Sequence, residues 1–373
     1  MLKAWFLAAT LAVVPGAHGQ GGPAPGGPVI VFRLPANAAP DVQAQRRWLP
    51  VPRRHAHLSA RDLGLVINDA DPYSVAVGAY YARARHLDAR QVLHVRLPPV
   101  SVLTPAQFAD FDRTLREHFG EHVQALALAW VRPYAVGCNS ITGAIALGDD
   151  QKFCANTCGP STLSPLFNQV SPTPYTLTGA RMSMLLAAPS IDEAKAMIDR
   201  GVASDRSLGW RGAPLVHAHF VTTQDAARSV RSELFPPGDP PGFYGVAVDL
   251  DDTNALHDVD DVLIYMTGVA TVHDLASVRF VPGALADHLT SFGGSFDNLH
   301  GQMSALAWIA AGATASYGTV SEPCSYTQKF PHPQILLLNY LEGATAIEAY
   351  WASVAWPRQG VFIGEPLAAP FSR

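Results

Sequence analysis

The stretch Leu63–Asn68, "LGLVIN", followed at 69–86 by "DADPYSVAVGAYYARARH", decides how the chain is read. A six-residue aliphatic run closed by Asn and Asp has the length and composition of a buried strand. Asp71 can then cap a helix, and Pro72 suits its first turn because the missing N–H has no partner there anyway. The same alternation continues outward. "QVLHVRLP" (91–98) reads as a second strand. "TPAQFADFDRTLREHFG" (104–120) reads as a helix with Thr104 as N-cap, Pro105 behind it and Gln107 completing a capping box. Phe108, Phe111, Leu115 and Phe119 recur at helical spacing, and Gly120 stops the helix. "VQALALAW" (123–130) is a third strand. Strands and helices of these lengths in alternation predict βαβ units: an α/β fold with a mostly parallel sheet flanked by helices on both faces, caspase-like or flavodoxin-like in order.

Further along, "MSMLLAA" (182–188), "APLVHAHFVTT" (213–223), "FYGVAVDL" (243–250), "DVLIYMTGV" (261–269), the start of "LADHLTSFGG" (285–294) and "ATASYGTV" (313–320) read as strands. "SIDEAKAMIDRG" (190–201), with Ser190 and Glu193 placed as a capping box, reads as a helix, as do "GQMSALAWIAAG" (301–312) and one last helix over 333–351. Between 136 and 181 the alternation stops in a stretch rich in Ser, Thr, Pro and Gly that holds three of the four cysteines, which predicts a cysteine-bearing insertion. The organisation expected is a signal peptide at 1–19, a Gly/Pro-rich irregular segment at 20–59, and a single α/β domain from 60 to 373.

The signal-peptide reading rests on Lys3, the apolar run "WFLAATLAVV" (5–14) and the small-x-small triplet Ala17-His18-Gly19. That run is shorter than the roughly 20 residues a bilayer span takes, so the mature chain is expected to be exported, to the periplasm or beyond, with no membrane span. In an oxidising compartment four cysteines (Cys138, Cys154, Cys158, Cys324) make two disulfides. Three pairings exist; Cys154–Cys158 closing a small loop, with Cys138 tied to Cys324, is one of them. Zinc is the rival, but this spacing suits it poorly. The chain has 373 residues and a net charge of −5 with no basic cluster, which argues against nucleic acid as a partner.

Several motifs taken together, "VINDADPYSVAVGAYYARAR" (66–85), "WVRPYAVGCNSIT" (130–142), "GALADHLTSFGG" (283–294), "AGATASYGTVSEP" (311–323) and "GEPLAAPF" (364–371), resemble an uncharacterised family of exported bacterial proteins from exosortase-carrying species. No activity is established for that family. The end of this chain, "APFSR", lacks the apolar segment and basic tail of a sorted substrate, so the resemblance implies a role beside such a system or apart from it. More distantly, the last third is similar to gingipain-type cysteine peptidases of the caspase-like fold, in which one strand ends in His-Gly and a later one in the nucleophilic Cys. Here Thr267-Gly268 falls at the first place and Ser291 at the second, so both catalytic residue types are missing.

The candidate pocket drawn from these readings comprises Asn68, Asp69, Ser74, Thr267, Gly268, Thr290, Ser291, Gly293, Gly294, Glu322 and Lys329. Ser291, at a strand end before two glycines, is the candidate nucleophile; without a base beside it, its hydroxyl is a structural or ligand-lining group. His288, three residues earlier, points to the opposite face of a strand, and His273, His300 or His332 would have to approach through the fold. Cys138 beside Ser140 reads as a disulfide partner before a nucleophile. His217 and His219 share one face of a strand, a spacing metal sites use and a strand edge also tolerates. Asp249, Asp251 and Asp260 partly mimic a calcium loop, against which stand Asn254 at the turn-glycine position and Asp at the bidentate Glu position; a solvated acidic loop is the plainer reading, and no cofactor is expected. The functional expectation is an exported, envelope-associated, non-peptidase relative of gingipain-type enzymes that binds a peptide or glycan. The alternatives are a hydrolase using Ser291 with a remote His or a metal, and a purely structural envelope protein.

Overall fold

The computed structural model describes residues 47–243, 245–297 and 300–373, which belong to one compact unit; the expected signal peptide and most of the Gly/Pro segment lie outside the described residues. The elements in chain order are β1 (Leu63–Asn68), α1 (Pro72–Ala84), β2 (Val92–Val95), β3 (Val102–Leu103), α2 (Pro105–Phe119), β4 (Ala125–Leu128), β5 (Ala135–Val136), β6 (Asn139–Ser140) and α3 (Ile141–Leu147). There follow α4 (Pro174–Thr178), β7 (Met182–Leu185), α5 (Ile191–Ser204), β8 (Val216–Thr222), β9 (Val246–Asp252), β10 (Val259–Gly268) and β11 (Val278–Leu289). The chain closes with α6 (Leu306–Ala311), β12 (Ala315–Thr319), α7 (Pro333–Leu341), α8 (Ala346–Ser353) and β13 (Gly360–Gly364).

Ten strands make one sheet in the order β2-β1-β4-β7-β13-β12-β11-β10-β8-β9, and β3, β5 and β6 make a small second one. β1 pairs in parallel with β2 and β4, β4 with β7, β11 with β10 and β12, and β8 with β10 and β9. β13 runs antiparallel to β12. The mostly parallel α/β fold expected from the alternation is therefore what forms, with two doubly wound runs, 2-1-4-7 and 9-8-10-11-12, side by side and β13 between them. In each run the strand order reverses at one point, β1/β4 and β8/β10, and the crevice outside the carboxyl ends at such a point is where this architecture receives ligands.

Adjacent residues of β11 reveal the two covering layers, because neighbours on a strand face opposite ways. His288 meets Trp308 of α6, while Asp287 meets Arg231 of a short 3-10 turn, Ser229–Leu234, packed beside the start of α7. The helix starts are as read from the sequence: Asp71 caps α1, Thr104 and Gln107 form a capping box on α2, and Ser190 accepts from Glu193 N–H at α5.

Three expectations change. The single last helix is two, α7 and α8. Gly343 takes a left-handed φ of 91° between them, and Thr345 with Glu348 builds a fresh capping box that restarts the helix. The 136–181 stretch is not only an insertion interrupting the alternation, since it holds α3, buried over Ile141–Ala146, which packs on β7 and β13 as the crossover helix between β4 and β7. Order also begins before residue 60: Arg54 forms a buried ion pair with Glu348, and Leu49 N–H donates to Gln334, so 47–58 is strapped onto α7 and α8.

The disulfides are Cys138–Cys154 and Cys158–Cys324, with Cα atoms 5.4 and 5.1 Å apart. The small Cys154–Cys158 loop does not form. Cys138 sits in the β5–β6 turn, which folds the insertion back on itself and brings Cys154 to it, and Cys158 then meets the β12–α7 connection. A pairing across 166 residues depends on the sheet order, which no local pattern carries.

Candidate functional site

The carboxyl ends of β10, β11 and β12 come together with the loops after β2 and β4. Asp297, beyond β11, accepts hydrogen bonds from Ser101, Arg132 and Tyr134. These side chains hold Asp297 below the usual carboxylate range despite some burial. Parallel register sets Thr267 beside His288 and Gly268 beside Leu289, so Thr267-Gly268 and Thr290-Ser291 do end neighbouring strands, as the sequence reading placed them.

Of the two glycines after Ser291, Gly294 has a packing cause. The backbone of β12 is pressed against this turn: Gly294 N–H donates to Thr319 O, and Ala305 N–H donates to Gly293 O. A β-carbon on Gly318 would lie 2.4 Å from both Gly293 C and Gly294 N, and one on Gly294 would lie 2.6 Å from Gly318 O. Backbone atoms cannot yield as a side-chain tip can. Gly318→Ala is therefore expected to destabilise the fold by about 1–3 kcal/mol through overpacking, read as a lower urea midpoint.

Ser291 is half-buried, and among the described residues its hydroxyl has no histidine or carboxylate hydrogen-bond partner; its carbonyl accepts from Thr319 Oγ1 at 2.9 Å. His288, the nearest imidazole in sequence, is committed elsewhere. Its Nε2 donates to Met303 O at 3.0 Å and its Nδ1 accepts from Trp308 Nε1 at 2.9 Å. Complete burial lowers its pKa to about 3, so the ring is neutral. His300 stacks on Phe292 with ring centroids 3.7 Å apart, His273 is exposed, and His332 is pushed down to about 4 by burial. None of these imidazoles is hydrogen-bonded to Ser291 among the described residues.

What does gather at the strand ends is a polar group of which the sequence reading named Thr290 and Gly268 but not Arg228, Gln302 or Thr223. Thr290 Oγ1 donates to Gln302 Oε1 at 2.6 Å and accepts from Arg228 Nε at 3.3 Å, while Arg228 pairs with Asp225 at 2.8 Å. Thr223 Oγ1 donates to Gly268 O at 2.6 Å. The turn carrying Arg228 lies so close that a β-carbon on Gly268 would sit 2.0 Å from Arg228 O, so this turn covers the β8/β10 reversal point. Beneath it, Arg231 is buried and bonded to Asp287, Thr267 O and Pro331 O. One sequence signal pointed there: Asp287 stands with His288 at the end of the mostly apolar run "GALADHL", and a carboxylate in a buried strand demands a partner.

The remaining pocket candidates do not join this group by any hydrogen bond among the described residues. Asn68 is buried and spends its amide on Leu97 and Ala70, and Ser74 Oγ accepts from Asn68 N–H, so both shape the β1 end. Asp69 pairs with His94. Glu322 accepts from Cys324 N–H. Lys329 is buried rather than pocket-lining: it donates to Thr157 O, lies near the Phe153 and Tyr326 rings, and is lowered to about 8 by desolvation against the pull of Glu322. It anchors the disulfide-bearing insertion.

On the edge strands, the stretch read as a calcium-like loop is extended. Asp249 and Asp251 lie in β9 and face β8, where His217 Nδ1 is 2.8 Å from Asp249 Oδ2 and His219 Nδ1 is 2.9 Å from Asp251 Oδ2. Asp260 is on β10 and pairs with Arg279 instead. The three aspartates thus do not surround one cation position, because strand pairing separates what sequence spacing had grouped.

Two solved structures are similar to this chain over most of its length. One, described as the structure of a protease, is 11% identical with a TM-score of 0.42, covering 84% of this chain and 79% of that one. The other is the Arg-specific cysteine proteinase gingipain R, 13% identical with a TM-score of 0.43, covering 86% and 80%. No protein-family model and no curated protein matches the chain.

Proposed function

We propose that this chain is an exported, envelope-associated protein that binds a peptide or glycan at the carboxyl ends of β10–β12 and does not cleave it. The observation that carries the reading is the state of Ser291. A serine hydroxyl becomes a nucleophile through an adjacent base, and the imidazole nearest in sequence, His288, has both nitrogens occupied by Met303 and Trp308. Around it stand hydroxyl, amide and guanidinium groups (Thr290, Gln302 and the part-exposed Arg228), which suit recognition of a polar ligand better than bond cleavage. Two disulfides fit an oxidising compartment outside the cytoplasm.

The test pairs turnover with binding. Purified protein incubated with fluorogenic peptides and a serine-reactive phosphonate should show neither hydrolysis nor labelling. A thermal-shift screen of envelope peptides and glycans should yield a ligand whose stabilisation is lost in Arg228→Ala. Peptide hydrolysis that disappears in Ser291→Ala would overturn the proposal.

A further inference from the structure

We propose that His217, His219 and Asp249 form a binding site for a late first-row divalent metal ion, zinc above all, held by Asp251 from behind. Histidines two apart on β8 face the same way, and the parallel register of β8 with β9 sets His219 beside Asp249 and Val221 beside Asp251. One donor atom from each of His217, His219 and Asp249 lies within 4.8 Å of the other two. Tetrahedral zinc with bonds of about 2.0–2.2 Å to N and O needs donors roughly 3.3–3.5 Å apart. Side-chain rotation of an ångström or so closes that gap, and these are strand residues whose backbone need not move.

His219 distinguishes the cluster from a chance set of surface ion pairs. The residue is more than nine-tenths buried, yet only one of its ring nitrogens is hydrogen-bonded among the described residues. Nδ1 donates to Asp251, which fixes the ring so that Nε2 points toward Asp249 Oδ2, 3.9 Å away and beyond hydrogen-bonding distance. A carboxylate that orients a histidine through the far nitrogen is the usual support of a metal-ligating imidazole. The His217 ring lies nearly parallel to it, centroids 5.9 Å apart, and His217 Nδ1 already touches the same Asp249 oxygen.

The donor set selects the ion. Two imidazoles with one carboxylate disfavour calcium and magnesium, which take oxygen, and favour zinc, copper or nickel. Three protein ligands leave a fourth position open, and with His217 and Asp249 each about one-third exposed that position reaches solvent. Such a site holds a water or a ligand group in the fourth position. The site shares no residue with Ser291 or the polar group at the strand ends, so it is independent of the binding function proposed above.

The test uses the exported chain without a polyhistidine tag, stripped with a chelator, and zinc chloride as titrant in competition with a chromogenic chelator. One zinc per chain with micromolar or tighter affinity is expected. His217→Ala, on a part-exposed side chain, should abolish measurable binding while leaving the far-UV spectrum unchanged. Asp251→Asn, which keeps all three ligands, should weaken binding by about 10–100-fold. Ser291→Ala should leave it untouched. No saturable zinc binding, or binding unchanged in a His217→Ala/Asp249→Ala double variant, would overturn the proposal.

Discussion

Arg231→Met is expected to cost about 3–5 kcal/mol, the penalty for leaving a buried charge without its partner. The guanidinium is 1% exposed and Asp287 is completely buried, and their Nη1–Oδ1 distance is 2.5 Å. The same side chain also ties Thr267 O of β10 and Pro331 O before α7 to β11, so its removal loosens three segments at the strand ends. Removing both partners in Arg231→Met/Asp287→Leu should recover much of the loss, since an apolar pair needs no compensation. The sign with pH distinguishes this from simple lost packing. Burial raises the Asp287 pKa against the opposing pull of Arg231. A carboxyl raised in the fold contributes stability below its unfolded value, and that contribution is lost as pH rises. In the single variant, where only burial remains, the deficit relative to the parent should widen from about pH 4 to pH 7. Urea midpoints at the two pH values measure it, and a deficit independent of pH would refute the account.

The second large effect is acid lability from buried neutral histidines. His288 and His332 are pushed down by burial to about 3 and about 4. An unfolded histidine titrates near 6.5, so below that pH the unfolded chain binds protons that the fold refuses. Their stability contribution is fully present above about pH 6.5 and is lost as pH falls, at up to about 1.4 kcal/mol per pH unit for each ring. His288→Gln can donate to Met303 O and accept from Trp308 Nε1 as the imidazole does. It should leave stability at pH 7.5 nearly intact and remove one ring's share of the slope between pH 6 and about pH 4.5. An unchanged slope would mean that His288 is not the closed, neutral group described. The same lock that makes it acid-sensitive also withholds it from Ser291.

Much of the fold was legible because each element carries its own signal. Buried parallel strands appear as aliphatic runs, and Asp71, Thr104 and Ser190 mark helix starts through hydrogen bonds made within a few residues. The site was legible only in outline. The strand-end positions of Thr267 and Ser291 could be placed by pattern, but the Arg228–Thr290–Gln302 group spans residues far apart in the chain and has no local periodicity. Residues grouped by proximity in sequence, such as Asp249 with Asp260, were separated once strands paired.

The sequence by itself determined a mostly parallel α/β sheet and the four cysteines that make its two disulfides. These follow from residue type and short-range periodicity. Only the tertiary structure decided that Cys138 pairs with Cys154 and Cys158 with Cys324, that Met303 and Trp308 take up both ring nitrogens of His288, and that β9 carries Asp249 and Asp251 to the two histidines of β8. The reason is physical: strand order and register bring together atoms that are 16 to 166 residues apart along the chain, and no local propensity encodes which neighbours a sheet will give them.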